Sequence, residues 1–283
     1  KSESCPITSL TASTNLIVFV HGPKTGGTTL KERYKHDNKE FLAVDEDPHA
    51  NDYTKVIFGH NAEIGSWENK FPNKNIIYVT CMRDPIKRIM SMYNFFKTQL
   101  FYMRPDSSDV DFYLWYINKD VLRPMLITKQ YEYYLYQSGH KISAETDYSI
   151  HKMYQNIVLD WDVKADTSAI NQDKVAEFQL EKDEIESFNM ELTWNKVMPS
   201  FDHVLFQDTD IVTEFDNLLK QYNIDLKPWT DMTETNETAY DLRKQGYGYT
   251  EFDELQSDLQ AMVLVDLKHD IEFYNRCVNK WKR

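Results

Sequence analysis

The chain has 283 residues, enough for one large domain or for a domain that carries substantial insertions. Apolar residues make up 41% and charged residues 27%, which is the composition of a globular protein and excludes wholesale disorder. No run of about 18 uncharged apolar residues occurs, so no segment is expected to span a membrane. The net charge of −13 argues against DNA or RNA as a partner, but it is compatible with a local basic pocket inside an acidic shell.

The three cysteines, Cys5, Cys81 and Cys277, are too few and too far apart for a disulfide-dense scaffold or an all-cysteine zinc site. Cys81 ends an apolar run and is predicted to be a buried thiol. Cys5 and Cys277 lie near the two termini and are candidates for a bridge. The first residue is Lys1, and Asn236 begins an Asn-Glu-Thr sequon for glycosylation. Together these features favour a secreted or lumenal protein with a removed leader. The alternative for the sequon is an ordinary surface loop.

The first third of the chain alternates between strand and helix patterns. Residues 1–14 are polar and are predicted to form a loose arm ahead of a single domain over 15–283. Asn15–Val20 is a continuous run of β-branched and aromatic residues, which predicts a strand buried on both faces of a parallel sheet. A glycine-rich segment over 21–27 and a helix over 28–35 follow.

Three further strands are predicted at 55–58, 75–81 and 203–206. A helix begins after the second of them, because Asp84 is a favoured N-cap and Pro85 is favoured at the first helical position. This alternation predicts an α/β fold with a mainly parallel central sheet, a P-loop-like nucleotide-binding core, helices on both faces and helical insertions.

An insertion is predicted at about 102–200, where residues 102–150 are rich in Tyr and indicate helices and loops. The strongly acidic segment 160–186 is predicted to be a solvated helical insertion. Helices are also predicted over 209–221 and, as one long amphipathic element, over 252–275. The apolar stripe of that last helix consists of Phe252, Leu255, Leu259, Met262 and Val263.

The segment Gly22-Pro-Lys-Thr-Gly-Gly-Thr-Thr29 is typical of a loop that holds a phosphate. Glycines let backbone N–H groups approach an anion, and the first N–H groups of the following helix are unpaired at the positive end of its dipole. The candidate ligands are Lys24, Thr25, Gly26, Gly27, Thr28 and Thr29.

The same segment differs from the Walker A loop of ATP-binding proteins. Gly22 and Gly27 have the Walker spacing, but Thr28 stands where the lysine should be and Lys24 lies inside the loop. An ATP loop needs its lysine on the β- and γ-phosphates and a hydroxyl on Mg²⁺. We therefore expect a loop for a less charged group that requires no metal.

A second anion-binding motif follows the strand at 75–81. Arg83 is placed at the end of that strand, and Ser91 lies two helical turns beyond Asp84. An arginine and a serine so placed could hold a second phosphate through charge-assisted hydrogen bonds. Alone, Arg-Asp-Pro is also a common way to start a helix.

Together, Pro-Lys-Thr-Gly-Gly-Thr-Thr and Arg-(seven residues)-Ser resemble the two signatures of the PAPS-dependent sulfotransferases, where PAPS is 3′-phosphoadenosine 5′-phosphosulfate. The chain looks most like the branch of Golgi heparan sulfate and uronyl 2-O-sulfotransferases, over residues 15–100 and more weakly over 200–275. That likeness is carried by Pro23-Lys24-Thr25, Gly59-His60, residues 77–88 with Ser91 and Tyr93, and Asp270 near Tyr274. The resemblance implies that the first loop holds the 5′-phosphosulfate and that Arg83 and Ser91 hold the 3′-phosphate.

Other positions qualify the resemblance. Relatives that act on uronic acids often have a histidine where this chain has Phe58, and a net charge of −13 disfavours a long polyanionic acceptor. Arg243 and Lys244 loosely resemble an Arg-Lys-Gly cofactor loop of cytosolic sulfotransferases and are further candidates for cofactor binding, with a solvated loop as the alternative.

Sulfuryl transfer to a hydroxyl needs a base for the acceptor proton and stabilisation of the leaving phosphate. His60, at the carboxyl end of a predicted strand, is the candidate base, and Lys24 is the candidate for stabilising the leaving group. His21 occupies a similar place after the first strand and is the rival base. The resemblance favours His60, since a Gly-His pair recurs there in relatives.

The sequence thus predicts an enzyme, a PAPS-dependent O-sulfotransferase whose acceptor is a hydroxyl of a carbohydrate. The alternatives are a small alcohol or phenol as acceptor, a P-loop kinase that uses ATP and Mg²⁺, and an inactive nucleotide-binding scaffold. We expect no metal, and membrane attachment only through an N-terminal anchor outside this chain. The expected location is the Golgi lumen, with the cytoplasm as the alternative.

Overall fold

The computed structural model describes residues 14–36, 38–47, 49–103, 112–113, 115–116, 129–139, 172–229 and 248–282. The strands in these ranges are β1 (Asn15–Val20), β2 (Phe41–Ala43), β3 (Val56–Gly59), β4 (Asn75–Met82) and β5 (His203–Phe206). The α-helices are α1 (Gly27–Lys35), α2 (Pro85–Met103), α3 (Gln130–Gln137), α4 (Gln172–Leu192), α5 (Ile211–Gln221), α6 (Ser257–Asp266) and α7 (Lys268–Trp281). Shorter helical turns are a π-helical turn at Thr193–Val197 and 3₁₀ turns at Met198–Ser200 and Phe252–Glu254.

The strands form one parallel sheet in the order β2-β3-β1-β4-β5. In the central strand, Ile17 pairs with Val56 of β3 on one side and with Ile77 of β4 on the other. The α/β fold with a parallel central sheet is therefore confirmed, and the strand predicted over 15–20 has the predicted bounds.

Both faces of β1 are buried, which explains its continuous apolar sequence. Ile17 and Phe19 pack into a cluster that contains α1 and α5, whereas Leu16, Val18 and Val20 pack into a cluster that contains α3 and α7. Full burial of each such side chain contributes roughly 1.5–3 kcal/mol. Helices on both faces of the sheet were predicted and are confirmed.

The prediction of one continuous helix over 252–275 is wrong. The chain forms α6 and α7 with a break at Leu267, which is buried and whose φ and ψ are −91° and 6°. The two halves serve different clusters, because Val263 packs with Tyr93 of α2 while Phe273 packs with the sheet. One straight helix with a single stripe could not contact both.

The acidic segment forms a helix over 172–186 as predicted, but the expectation that it is solvated is wrong at its end. Glu186 is buried and forms an ion pair with Lys129, and Met190 in the next turn is part of the core. Residues 160–171 lie outside the described residues. The Tyr-rich segment likewise contributes core, since Tyr131 and Tyr134 of α3 are fully buried.

Several predictions from composition concern the cysteines, the sequon and membrane-spanning segments. Cys81 and Cys277 are buried free thiols, and the thiol predicted at Cys81 is confirmed. Cys5 and the Asn236 sequon lie outside the described residues, so their bridge and glycosylation stay predictions. In the part of the chain described, no helix is long and apolar enough to cross a membrane.

Candidate active site

Three of the predicted site segments lie at the carboxyl edge of neighbouring strands. The loop of residues 21–26 follows β1, His60 follows β3, and Arg83 follows β4 one residue after its end. Since β1 lies between β3 and β4 in a parallel sheet, these segments meet at one edge. The chain leaves β1 towards β2 but crosses from β3 to β4, and such a reversal of direction is where open α/β sheets bind ligands.

The loop after β1 requires both of its central glycines. Gly26 is the residue before α1 and has a φ of +91°, which disfavours a side chain. A Cβ on Gly27, the first residue of α1, would lie 2.3 Å from Cδ2 of His21. Lys24 also has a positive φ, +62°, a conformation that is costly for a residue with a side chain.

The carbonyl groups of four successive loop residues are held by the protein. Thr25 Oγ1 donates to the Gly22 carbonyl at 2.8 Å, and the Cys81 thiol donates to the Thr25 carbonyl at 3.1 Å. Arg88 Nε donates to the Pro23 carbonyl at 2.9 Å, and Arg83 Nη1 donates to that of Lys24 at 3.3 Å. These bonds fix the path of the loop before any ligand binds.

The N–H groups of the loop are left unused by the described residues. Among those residues none accepts a hydrogen bond from the N–H groups of residues 24–28. A run of free N–H groups that ends at a helix N-terminus is an arrangement that binds anions. Gly26, Gly27 and Thr28 belong to this run, and their role in binding stays a prediction, whereas the Thr25 hydroxyl is fully buried and holds the loop.

Two cations lie beside this loop with no carboxylate partner among the described residues. Lys24 Nζ lies 4.1 Å from the centre of the Phe95 ring, and neither Lys24 nor Arg83 forms an ion pair with the described part of the chain. Burial, together with the charge of Arg83, lowers the pKa of Lys24 to about 8. The loop region therefore carries two cations without a described carboxylate partner, inside a protein of net charge −13.

The backbone of Arg83 is held by α3. Its N–H donates to Gln130 Oε1 at 3.1 Å, and Gln130 Nε2 donates back to its carbonyl at 2.8 Å. Gln130 in turn donates from its own N–H to Asp270 Oδ1 at 2.7 Å. The Arg83 Nε atom is buried, and no described residue accepts a hydrogen bond from it, so the guanidinium has donor capacity to spare.

Ser91 lies on the same side of α2 as the lysine contact. Asp84 caps the helix as predicted, accepting from the Lys87 N–H at 2.9 Å, and this fixes the helical phase. Phe95, whose ring lies under Lys24, is four residues beyond Ser91 and so one turn along the same face. Ser91 is only 6% exposed.

His60 is held in one tautomer. Its Nδ1 lies 2.6 Å from the backbone carbonyl of His21, and because a carbonyl only accepts, Nδ1 carries the proton. Nε2 of the neutral ring is then an acceptor, and it forms no hydrogen bond with a described residue. Asp45 accepts from the N–H groups of His60 and Asn61 at 2.8 and 3.0 Å, which fixes the turn.

His21, the rival base, is placed differently. Its ring stacks on that of His60 with centroids 4.4 Å apart, but it is only 6% exposed and lies against Gly27. Burial, and then the charges of His60, Lys31 and Lys24, lower its pKa well below the ordinary value. His21 is therefore a neutral packing partner of His60, whereas His60 itself is only half-buried.

Several residues at the site had no part in the sequence prediction. Asp45 and Tyr133 hold the His60 turn, with the Tyr133 hydroxyl 2.9 Å from the carbonyl of His21 and 3.0 Å from that of His60. Gln130 holds the backbone of Arg83 and also had no part in that prediction. Arg88, which holds the loop, and Asp270, which accepts from Gln130, lie in segments that carry the resemblance. Arg243 and Lys244 lie outside the described residues, so their role stays a prediction.

Within the described ranges no group of three His, Cys, Asp or Glu side chains could hold a metal ion.

Comparison of the chain with protein-family models, with curated proteins and with solved structures finds no match.

Proposed function

We propose that this protein is a sulfotransferase that moves a sulfuryl group from PAPS to a hydroxyl, with a carbohydrate as the acceptor. One observation carries the proposal. Lys24 and Arg83 lie without a described carboxylate partner beside five free N–H groups, next to a histidine whose Nε2 is available as a base. Cations and N–H groups suit a phosphosulfate, and the free imidazole nitrogen suits a hydroxyl acceptor.

The donor would bind along the edge of the sheet in the order that the resemblance implies. The 5′-phosphosulfate would lie on the N–H groups of the loop, as in a P-loop, and the 3′-phosphate would lie near Arg83 and Ser91. This orientation puts the sulfuryl group on the side of the loop nearest Lys24 and leaves the β3 side, with His60, for the acceptor.

The reaction would be an in-line displacement at sulfur. The acceptor oxygen forms a new S–O bond while its proton passes to His60 Nε2, and the bond from sulfur to the bridging oxygen breaks. The electron pair of that bond remains on the 5′-phosphate of adenosine 3′,5′-bisphosphate. Lys24 would stabilise the charge that develops there, as preorganised cations do at leaving groups.

Two alternatives are a kinase activity and a small-molecule acceptor. A kinase that uses ATP and Mg²⁺ would need a lysine where Thr28 stands. A small alcohol or phenol would satisfy the same base, and the net charge of −13 favours either it or a neutral glycan over a long polyanion. A location in the Golgi lumen follows from the same resemblance and belongs to the proposal, with the cytoplasm as the alternative.

Calorimetry and a transfer assay test the proposal. We expect adenosine 3′,5′-bisphosphate to bind in the presence of EDTA, and ATP with Mg²⁺ to bind more weakly. Radiolabelled PAPS should then transfer its label to one class among neutral glycans, acidic glycans and small phenols, and His60→Ala should abolish most of that transfer. Preferential binding of ATP with Mg²⁺ would favour the kinase, and binding without transfer to any class would favour an inactive scaffold.

A further inference from the structure

Residues 248–250 are fastened to α2 by buried polar side chains. Asn94 Nδ2 donates to the Thr250 carbonyl at 2.8 Å, and the Thr250 N–H donates to Asn94 Oδ1 at 2.9 Å. Lys97 Nζ donates to the Gly248 carbonyl at 3.1 Å and to Thr250 Oγ1 at 2.8 Å. Asn94 is fully buried, and Lys97 is 9% exposed. So many hydrogen bonds from buried groups give this short segment one defined position.

These hydrogen bonds hold Tyr249 in the same region as Arg83. Asn94 is three residues beyond Ser91, so the segment crosses α2 one turn from the serine that is proposed to bind the 3′-phosphate. Burial raises the pKa of the Tyr249 phenol, while the nearby Arg83 guanidinium and Asn94 amide lower it. Tyr249 therefore lies near Arg83 and Asn94, in a segment held to α2 one turn beyond Ser91, and its hydroxyl is protonated at neutral pH.

We propose that Tyr249 forms part of the subsite for the 3′-phosphate and donates a hydrogen bond from its hydroxyl to that phosphate, which makes it a determinant of specificity for 3′-phosphorylated nucleotides. The inference rests on the proposed function, because it names a further residue of the same donor site.

Charge and donor number argue for this role. A phosphate dianion has three oxygen acceptors besides its ester oxygen, and Arg83 already donates one N–H group to the Lys24 carbonyl. Burial lowers the pKa values of both Lys24 and Arg83, so a third positive charge beside them would be costly. A neutral phenol adds a hydrogen-bond donor without adding that charge. Asn94 and Lys97 act only through the segment, and they are positioning residues.

The test compares two ligands that differ only in the 3′-phosphate, adenosine 3′,5′-bisphosphate and adenosine 5′-monophosphate. Calorimetry measures the ratio of the Kd for the monophosphate to the Kd for the bisphosphate, in the wild type and in Tyr249→Phe. A hydrogen bond to a charged group is worth at least about 10-fold in affinity, so the ratio should fall about 10-fold in the variant. The affinity for the monophosphate should not change, because that ligand lacks the group that Tyr249 contacts.

Two further variants keep the result interpretable. Tyr136→Phe removes the hydroxyl of a tyrosine that is 63% exposed, and it should leave the ratio unchanged. Thr250→Ala keeps Tyr249 but removes the hydroxyl that accepts from Lys97, and it should lower the ratio by about 2- to 10-fold through the loosened segment.

The outcomes separate the two proposals. If the wild type prefers the bisphosphate and Tyr249→Phe keeps that preference, the role of Tyr249 is wrong and the proposed function stands. If the wild type binds the two nucleotides equally, the donor site itself is wrong and Tyr249 loses its role with it.

Discussion

The two sides of β1 differ in charge although they share one edge of the sheet. On the β4 side, Lys24 and Arg83 are cations with no carboxylate partner among the described residues. On the β3 side, His60 and His21 form a stacked pair held by backbone contacts. One strand therefore lies between two cations, which are proposed to hold an anion, and a histidine pair, which is proposed to accept a proton. Substitutions on the two sides should therefore have different kinetic consequences.

The largest effect is expected on the histidine side. His60→Ala should lower kcat by about 10²–10⁴-fold, which is the usual contribution of a positioned base. The Kd for adenosine 3′,5′-bisphosphate should hardly change, because His60 is proposed to face the acceptor and not the phosphates. His36→Ala, at an exposed position after α1, is the matched control and should change neither value. A large loss of nucleotide affinity in His60→Ala would erase the distinction between the two sides.

The reverse pattern is expected on the cation side. Arg83→Ala and Ser91→Ala each remove a proposed donor to the 3′-phosphate, and each should weaken nucleotide binding by about 10- to 150-fold in calorimetry. Lys87→Ala removes an exposed cation of the same helix and should have little effect. Unchanged affinity in both Arg83→Ala and Ser91→Ala would contradict the assignment of this side to the nucleotide.

A substitution between the two sides should disturb both. Gly27→Ala places a methyl group 2.3 Å from the His21 ring, which stacks on His60, and overpacking of this kind costs about 1–3 kcal/mol. We expect a lower Tm in thermal unfolding, together with losses in both kcat and nucleotide affinity. Gly248→Ala is the control for the Tm, since a Cβ there meets no atom within 4 Å. An unchanged Tm in Gly27→Ala would mean that the histidine pair is free to move away.

The smallest effect is a change in protonation. Because the pKa of Lys24 is about 8, part of the population is neutral just above that pH, and an anion that binds nearby should raise the pKa. Binding of adenosine 3′,5′-bisphosphate at pH 8–9 should therefore take up a fraction of a proton, and less at pH 6. Calorimetry in buffers of different ionisation enthalpy measures this uptake. Lys24→Met should remove it, and uptake that persists in Lys24→Met would assign the proton to another group.

The same low pKa has a consequence for stability. The folded-state value lies below the ordinary value, so the unfolded chain binds more protons between about pH 8 and 10.5. The free energy of unfolding gains from Lys24 as the pH rises through this window, and the unfavourable contribution is fully present at neutral pH.

Much of the fold was predictable, because the strands that face helices on both sides must be apolar throughout. Asn15–Val20 and His203–Phe206 show that signal, whereas Phe41–Ala43 is too short to do so and was missed. The break at Leu267 was also missed, because it is imposed by packing against two clusters and leaves no Gly or Pro in the sequence.

The candidate site divides in the same way. His60 and Arg83 follow strands directly and Lys24 lies in the loop after β1, so the rule that ligands bind at carboxyl ends was enough to bring them together. Tyr249 and Gln130 come from segments distant in sequence, and only tertiary structure places them beside Arg83. Local patterns could not have identified them.

The Cys81 thiol is a chemical probe of the loop after β1. It donates to the Thr25 carbonyl from a fully buried position, and burial raises its pKa, so the reactive thiolate is suppressed while the loop stays in place. Alkylation of Cys81 therefore requires an opening of the structure that exposes the thiol. Because this thiol lies beneath the proposed phosphate-binding loop, a bound nucleotide should slow its alkylation. The alkylation rate would then report nucleotide binding without any catalytic turnover.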